Sequence, residues 1–119
     1  ILSLTSHLPH VIAYNIVKTS MSNGDKLKKD IIRYSAGGLR DFTRIAASDP
    51  IMWKDIFIDN SDLIIHAIDN FEKNLAELKN AIKAKDSKKL LDIFEKSKEF
   101  RDAVIKAGQD TDKPDFGRK

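Results

Sequence analysis

An all-α domain of roughly five or six helices is what this sequence predicts. Three observations predict it. Apolar residues recur at spacings of three and four along nearly the whole chain. Alternating apolar–polar stretches are missing, and Asn23-Gly24, a hairpin-type dipeptide, lies between polar residues. Capping residues and helix breakers fall at the ends of the periodic segments.

The elements follow in order. Leu8, Ile12 and Ile16 recur at spacing four, with Val11 and Val17 beside them, so a helix is expected from about Ser6 to Ser20. Pro9 lies in its first turn, where a missing N–H costs little. Met21 to Asp25 reads as a loop, and Leu27, Ile31 and Tyr34 mark a short helix over about Lys26 to Tyr34. Ser35-Ala36-Gly37-Gly38 interrupts the pattern, because paired glycines let the backbone turn or lie close to another group. Leu39, Phe42, Ile45 and Ala46 define a helix of about ten residues. Asp49 is a suitable N-cap and Pro50 a suitable first residue for a short apolar helix, Ile51 to Ile58. Asn60-Ser61 supplies the next cap.

The longest helix follows. Ile64, Ile68, Phe71, Leu75, Leu78 and Ile82 are spaced 4, 3, 4, 3, 4, a heptad seam suited to lengthwise packing. Ala84 to Asp86 is a short link, and Asp86-Ser87 caps a partner helix with Leu90, Phe94, Ser97, Val104 and Ile105 as its apolar positions. Gly108 stops it. The pair is expected to form a long antiparallel hairpin. The domain thus spans 1–108, and 109–119 is a polar tail without a period, expected to be frayed.

Composition narrows the function classes. The 119 residues suit one domain; 41% are hydrophobic and 33% charged, an ordinary globular mix. There is no Cys, so a disulfide framework and a thiolate metal site are excluded. No apolar run approaches the ~20 residues of a membrane span. The net charge is +3, and the late lysines (Lys79, Lys83, Lys85, Lys88, Lys89, Lys96, Lys98) alternate with acids, which suits a solvated face rather than a nucleic-acid patch. The chain opens without Met or a basic leader, as if entered partway through a longer protein. A cytoplasmic setting is expected.

Two groups of residues could carry chemistry. His7 and His10, three apart, share a helix face. They suit a polar pair facing a ligand or a domain boundary, or two satisfied core histidines; a metal site needs more ligands, and the remaining His66 is far along the chain. Arg40, Asp41 and Arg44 can gather near one helix surface. A guanidinium oriented by a carboxylate matches the two oxygens of a carboxylate ligand, although a surface ion pair is the plainer reading. The glycine pair is no phosphate loop, since no strand precedes it and no Lys-Ser or Lys-Thr follows. Trp53, the single tryptophan, suits a core or interface position.

Three segments together carry a resemblance. Ser6-His7-Leu8-Pro9-His10, then Gly37-Gly38-Leu39-Arg40-Asp41-Phe42-Thr43-Arg44-Ile45-Ala46, then Ser48-Asp49-Pro50-Ile51-Met52-Trp53-Lys54-Asp55-Ile56 resemble, in order and spacing, the C-terminal helical domain of the prephenate dehydrogenase family. The likeness runs over about residues 3 to 83. It implies an intertwined dimerisation domain that closes one wall of an active site. The family's enzyme oxidatively decarboxylates prephenate to 4-hydroxyphenylpyruvate with NAD or NADP, in tyrosine biosynthesis. No catalytic or cofactor-binding residue is expected here, because the glycine fingerprint and catalytic histidine belong to a dinucleotide-binding part. The fragment alone is expected to be inactive.

Residue by residue, the resemblance implies that Arg44 binds a substrate carboxylate. His10 lines the substrate pocket and could meet tyrosine acting as inhibitor. Gly37 brings backbone close to the ligand. Asp41 and Trp53 match positions tied to Arg44 through an ionic and packing network near the subunit boundary, and His7 is structural. Ser35-Ala36 departs from relatives that carry a third glycine or a proline there. Expected partners are prephenate and a second copy of the chain. The rival readings are an arogenate dehydrogenase domain and a non-catalytic helical dimerisation or regulatory module.

Overall fold

The computed structural model describes residues 1–22, 30 and 37–108. Among them the chain is all-α: five helices, no strand, one π-helical turn and one 3-10 turn. The helices are α1 (Leu8–Met21), α2 (Gly37–Thr43), α3 (Pro50–Asp59), α4 (Ser61–Lys83) and α5 (Ser87–Lys106). The short helix expected over Lys26 to Tyr34, the Ser35-Ala36 pair and the 109–119 tail lie outside the described residues. The chain divides into two compact units, Ile1–Asp69 and Asn70–Lys119.

The first unit begins earlier than the periodicity predicts. Ser3–His7 forms a π-helical turn, and the Leu8 N–H donates to the Ser3 carbonyl. Pro9 gives the reason. Inside an α-helix its ring would press on the carbonyl four residues back, and a widened turn relieves that contact. α1 then packs against this turn, α2 and the 3-10 turn Arg44–Ala47. Ala13 of α1 is buried, as are Trp53 of α3 and Ile64 and Ala67 of α4.

Gly37 and Gly38 lie in the first turn of α2. Gly38 lies outside the left-handed region, and a Cβ on it would meet nothing within 4 Å. Glycine permits a turn without demanding one. The expected ten-residue helix is instead α2 continued by the 3-10 turn. Asp49 caps α3 as expected: its Oδ1 accepts from the Ile51 N–H at 3.0 Å, and Pro50 opens the helix.

In the second unit the link between α4 and α5 is a compact double cap. The Lys85 N–H donates to the Ile82 carbonyl and the Asp86 N–H to the Ala81 carbonyl, both at 3.0 Å. That pairing is a Schellman motif, with Lys85 at the left-handed position (φ 51°) where glycine is usual. Asp86 then starts α5, its Oδ1 accepting from the Lys89 N–H at 3.1 Å. Gly108 follows the end of α5 at φ 79°, its N–H bonded to the Ile105 carbonyl.

The apolar faces differ in part from expectation. Ala81 is buried, and Phe71, Leu75, Leu78 and Ile93 line a groove of about 410 Å³. Ile93, rather than Phe94, takes the inward register; Phe94 is 56% exposed. Leu75 and Ile82 of the heptad seam are also exposed. The lysines bond acids as a solvated face would: Lys89–Glu77, Lys96–Asp92 and Lys98–Asp102 pair at 3.2–3.4 Å in exposed positions, where each contributes little.

Lys85→Gly is expected to stabilise the chain by about 1 kcal/mol, since glycine meets no Cβ strain at positive φ. A urea titration reads this as a higher midpoint at unchanged slope; an unmoved midpoint would count against the strained cap.

Candidate functional site

Two helix-surface pairs at spacing four build the centre of the first unit. α1 carries His10 and Tyr14, and α3 carries Trp53 and Phe57. The pairs meet ring to ring. His10 stacks on Trp53, with centroids 3.5 Å apart and planes 18° apart. Tyr14 meets Phe57 edge-on at 6.4 Å. Along the helices, His10 lies 6.5 Å from Tyr14 and Trp53 lies 6.0 Å from Phe57. His7, one turn before His10, sets its ring perpendicular to the same indole at 5.9 Å. Each such aromatic pair contributes about 0.5–1.5 kcal/mol beyond area burial.

Hydrogen bonds fix the two imidazoles. His10 Nδ1 lies 2.9 Å from the Ser6 carbonyl. A carbonyl only accepts, so Nδ1 carries the proton and Nε2 is left for other partners. His7 Nδ1 lies 3.0 Å from Asn60 Nδ2, an amide nitrogen that donates. Both histidines are half-buried, and Trp53 is only 8% exposed. The Tyr14 hydroxyl is the buried side-chain polar atom without a hydrogen-bond partner among the described residues.

The arginine segment is different in character. Arg44 begins the 3-10 turn that packs on α1, the helix carrying His10. Arg40, Asp41 and Arg44 are all exposed. No ion pair joins Asp41 to Arg44 among the described residues; α2 gives way to the 3-10 turn between them, which changes the register that an α-helix would offer. Trp53 contacts the histidines, and among the described residues no hydrogen bond or ion pair joins it or Asp41 to Arg44. Gly37 is half-buried in the first turn of α2.

Sequence reasoning paired His7 with His10 and singled out Trp53, but not as one cluster. It passed over Tyr14, Phe57 and the side-chain role of Asn60. The repeated spacing of four, His10/Tyr14 and Trp53/Phe57, was the available signal. Asn60 was expected to cap α4; its side chain turns to His7 instead, while its backbone N–H closes α3 on the Ile56 carbonyl.

No set of three or more His, Asp or Glu side chains among the described residues could hold a metal ion. No described helix is long and apolar enough to cross a membrane. No strand lies among the described residues.

A family model for the prephenate dehydrogenase dimerisation domain matches residues 1–96. The chain belongs to that family. Among its relatives, a cyclohexadienyl dehydrogenase of Zymomonas mobilis is 42% identical over 87% of the chain and 36% of its own length. The prephenate dehydrogenase of Bacillus subtilis is 33% identical over 86% of the chain and 27% of its own length. A solved prephenate dehydrogenase from A. aeolicus, in complex with hydroxyphenyl propionate and NAD+, superposes with a TM-score of 0.80 at 39% identity, over 87% of the chain and 36% of its own. The chain thus spans about a third of these prephenate and cyclohexadienyl dehydrogenases. The matched region takes in the aromatic cluster, the arginine segment and all of α4.

Tyr14→Phe is expected to leave stability unchanged or raise it by up to about 1 kcal/mol, because the hydroxyl removed is buried without a partner. Thermal unfolding followed by circular dichroism checks it; a clear loss of stability would show that the hydroxyl is bonded.

Proposed function

We propose that this chain is the C-terminal dimerisation and substrate-facing domain of a cytoplasmic enzyme that converts prephenate to 4-hydroxyphenylpyruvate with NAD or NADP. The observation that carries the reading is the stack of His10 on Trp53. It joins the first and third family segments at one place, on the helix against which the Arg44 turn packs. Prephenate is a dianion, so its site needs donors and positive charge. Arg44 is assigned to a substrate carboxylate, His10 to the pocket wall, and Gly37 to close backbone approach. Asp41 is assigned to the surroundings of Arg44, and Trp53 and His7 to holding His10. Hydride transfer and the dinucleotide are assigned to a part of the enzyme with a nucleotide-binding fold, and this chain's share is orientation and electrostatics.

Dimerisation has support beyond the family's description. Large apolar side chains stand exposed at seven-residue spacing on two helices, Ile51 and Ile58 on α3 and Leu75 and Ile82 on α4. Exposed apolar faces of this kind mark association surfaces. The proposed arrangement has α4 and α5 as an antiparallel hairpin, intertwined with a second copy. Tyrosine is assigned as a competing ligand at His10 on the family resemblance alone.

A second reading is favoured by the Zymomonas relative, whose name speaks of a cyclohexadienyl substrate. In it the substrate is arogenate, which carries an amino group where prephenate has a keto group. Comparing kcat/KM on the two compounds separates the readings.

In the complete enzyme, Arg44→Ala is expected to raise KM for prephenate more than tenfold, since a hydrogen bond to a charged group contributes about 1.5–3 kcal/mol. The KM for the dinucleotide should stay nearly unchanged. An unaltered prephenate KM removes Arg44 from the site. Light scattering at micromolar concentration should give twice the chain mass; a monomer mass would refute the dimer.

A further inference from the structure

We propose that Asn60 is a positioning residue that fixes the His7 tautomer, so that His7 and His10, both in contact with the Trp53 indole, stand as opposite tautomers. The tautomers follow from which group each Nδ1 faces, because the bond made by one ring nitrogen decides the state of the other. His10 Nδ1 faces the Ser6 carbonyl at 2.9 Å and must donate, so its Nε2 carries a lone pair when the ring is neutral. His7 Nδ1 faces the Asn60 amide nitrogen at 3.0 Å and must accept, so its proton sits on Nε2. Neither Nε2 is a buried atom lacking a partner, and neither makes a hydrogen bond among the described residues. The pair therefore offers outward one acceptor, on His10, and one donor, on His7.

Asn60 is built to do this. Its backbone N–H is bonded to Ile56 of α3 and its carbonyl accepts from Ile64 of α4, at 3.0 and 3.1 Å. Both backbone groups are thus held by helices, and the short amide is aimed across 53 residues of sequence at His7. His7 in turn lies edge-on to the indole whose face supports His10. A His7 free to exchange tautomers would lose that fixed edge, and the support of the His10 ring would loosen with it. An aspartate has the same shape but only accepts, so it would reverse the His7 tautomer.

The consequence for substrate rests on the function proposed above, while the tautomers rest on the geometry alone. The test is therefore in two parts. Nitrogen-15 spectra of the imidazole rings are recorded on the whole chain, well above the ordinary imidazole range so that rings are neutral. With His7, His10 and His66 as the only histidines, assignment needs only single replacements. The expected result is a protonated Nδ1 on His10 and a protonated Nε2 on His7. Asn60→Ala should average the His7 signals between the two tautomers, and Asn60→Asp should move the His7 proton to Nδ1, both leaving His10 Nδ1 protonated. A native His7 protonated on Nδ1, or His7 signals indifferent to both replacements, would overturn the proposal. The isosteric Asp variant keeps the test open if the Ala variant does not fold. In the complete enzyme, Asn60→Asp should raise KM for prephenate about tenfold with kcat little changed, the size of one hydrogen bond. Expected spectra beside an unmoved KM would overturn the ligand role of the histidine pair and leave the hold of Asn60 on His7 standing.

Discussion

The stack between His10 and Trp53 is the contact on which the first unit depends. An indole is large enough to take one imidazole on its face and another at right angles, and Trp53 does both. It is also one of the few buried side chains among the described residues. α1 and α3 are thereby joined through rings rather than through a broad aliphatic layer. Aromatic contacts of this kind have defined geometry, so they fix the rotation of each helix about its axis as well as their separation. That rotation is what presents the outer nitrogens of both histidines in a set direction. Leucines in the same places would hold the helices together without specifying it.

The arginine segment follows a different logic. Among the described residues Arg44 has no carboxylate partner, and it stands exposed on a turn that packs against the helix of His10. A guanidinium without an internal partner need not give one up to bind an anion, and its planar fork suits two carboxylate oxygens. The free state is compatible with the proposed capture role. The change from α to 3-10 geometry between Asp41 and Arg44 separates the two charges that sequence spacing would have paired. Hydrogen-bonded histidines and an exposed arginine divide the proposed work: the rings set orientation and the cation supplies attraction.

Much of the architecture was legible in the sequence because its signals are local. Asp49-Pro50, Asp86 and Gly108 act at the helix ends where cap chemistry places them, and the period along residues 61 to 83 gives one unbroken helix. Local rules failed where long-range contacts decided. Asn60 has the residue type of an N-cap, but a histidine 53 residues earlier takes its side chain. The glycine pair lies in the first turn of a helix despite its entropic cost there, a placement that residue type alone does not give. The π turn before Pro9 is hidden because apolar periodicity is insensitive to one widened turn. Phe94 and Ile93 are adjacent and both apolar, so only the partner surface could choose between them. For the site, spacing could put His7 beside His10 but could not bring Trp53 to them. Motif resemblance grouped the three without describing the contact.

The partial exposure of the heptad seam bears on how such a chain becomes stable. Ile64 is buried, whereas Leu75 and Ile82 of the same stripe are 51% and 57% exposed. A stripe that is regular in sequence but only partly covered within one chain has more apolar surface than its own core uses. The buried side chains here are few and several are alanines, so each contributes little. Stability drawn from a second copy makes folding and association one equilibrium, dependent on concentration. It also gives a physical reason for a dimerisation domain to carry substrate groups. On the function proposed above, association would stiffen the helices that hold His10 and Arg44, and a site whose groups are held in place loses less entropy when the ligand arrives.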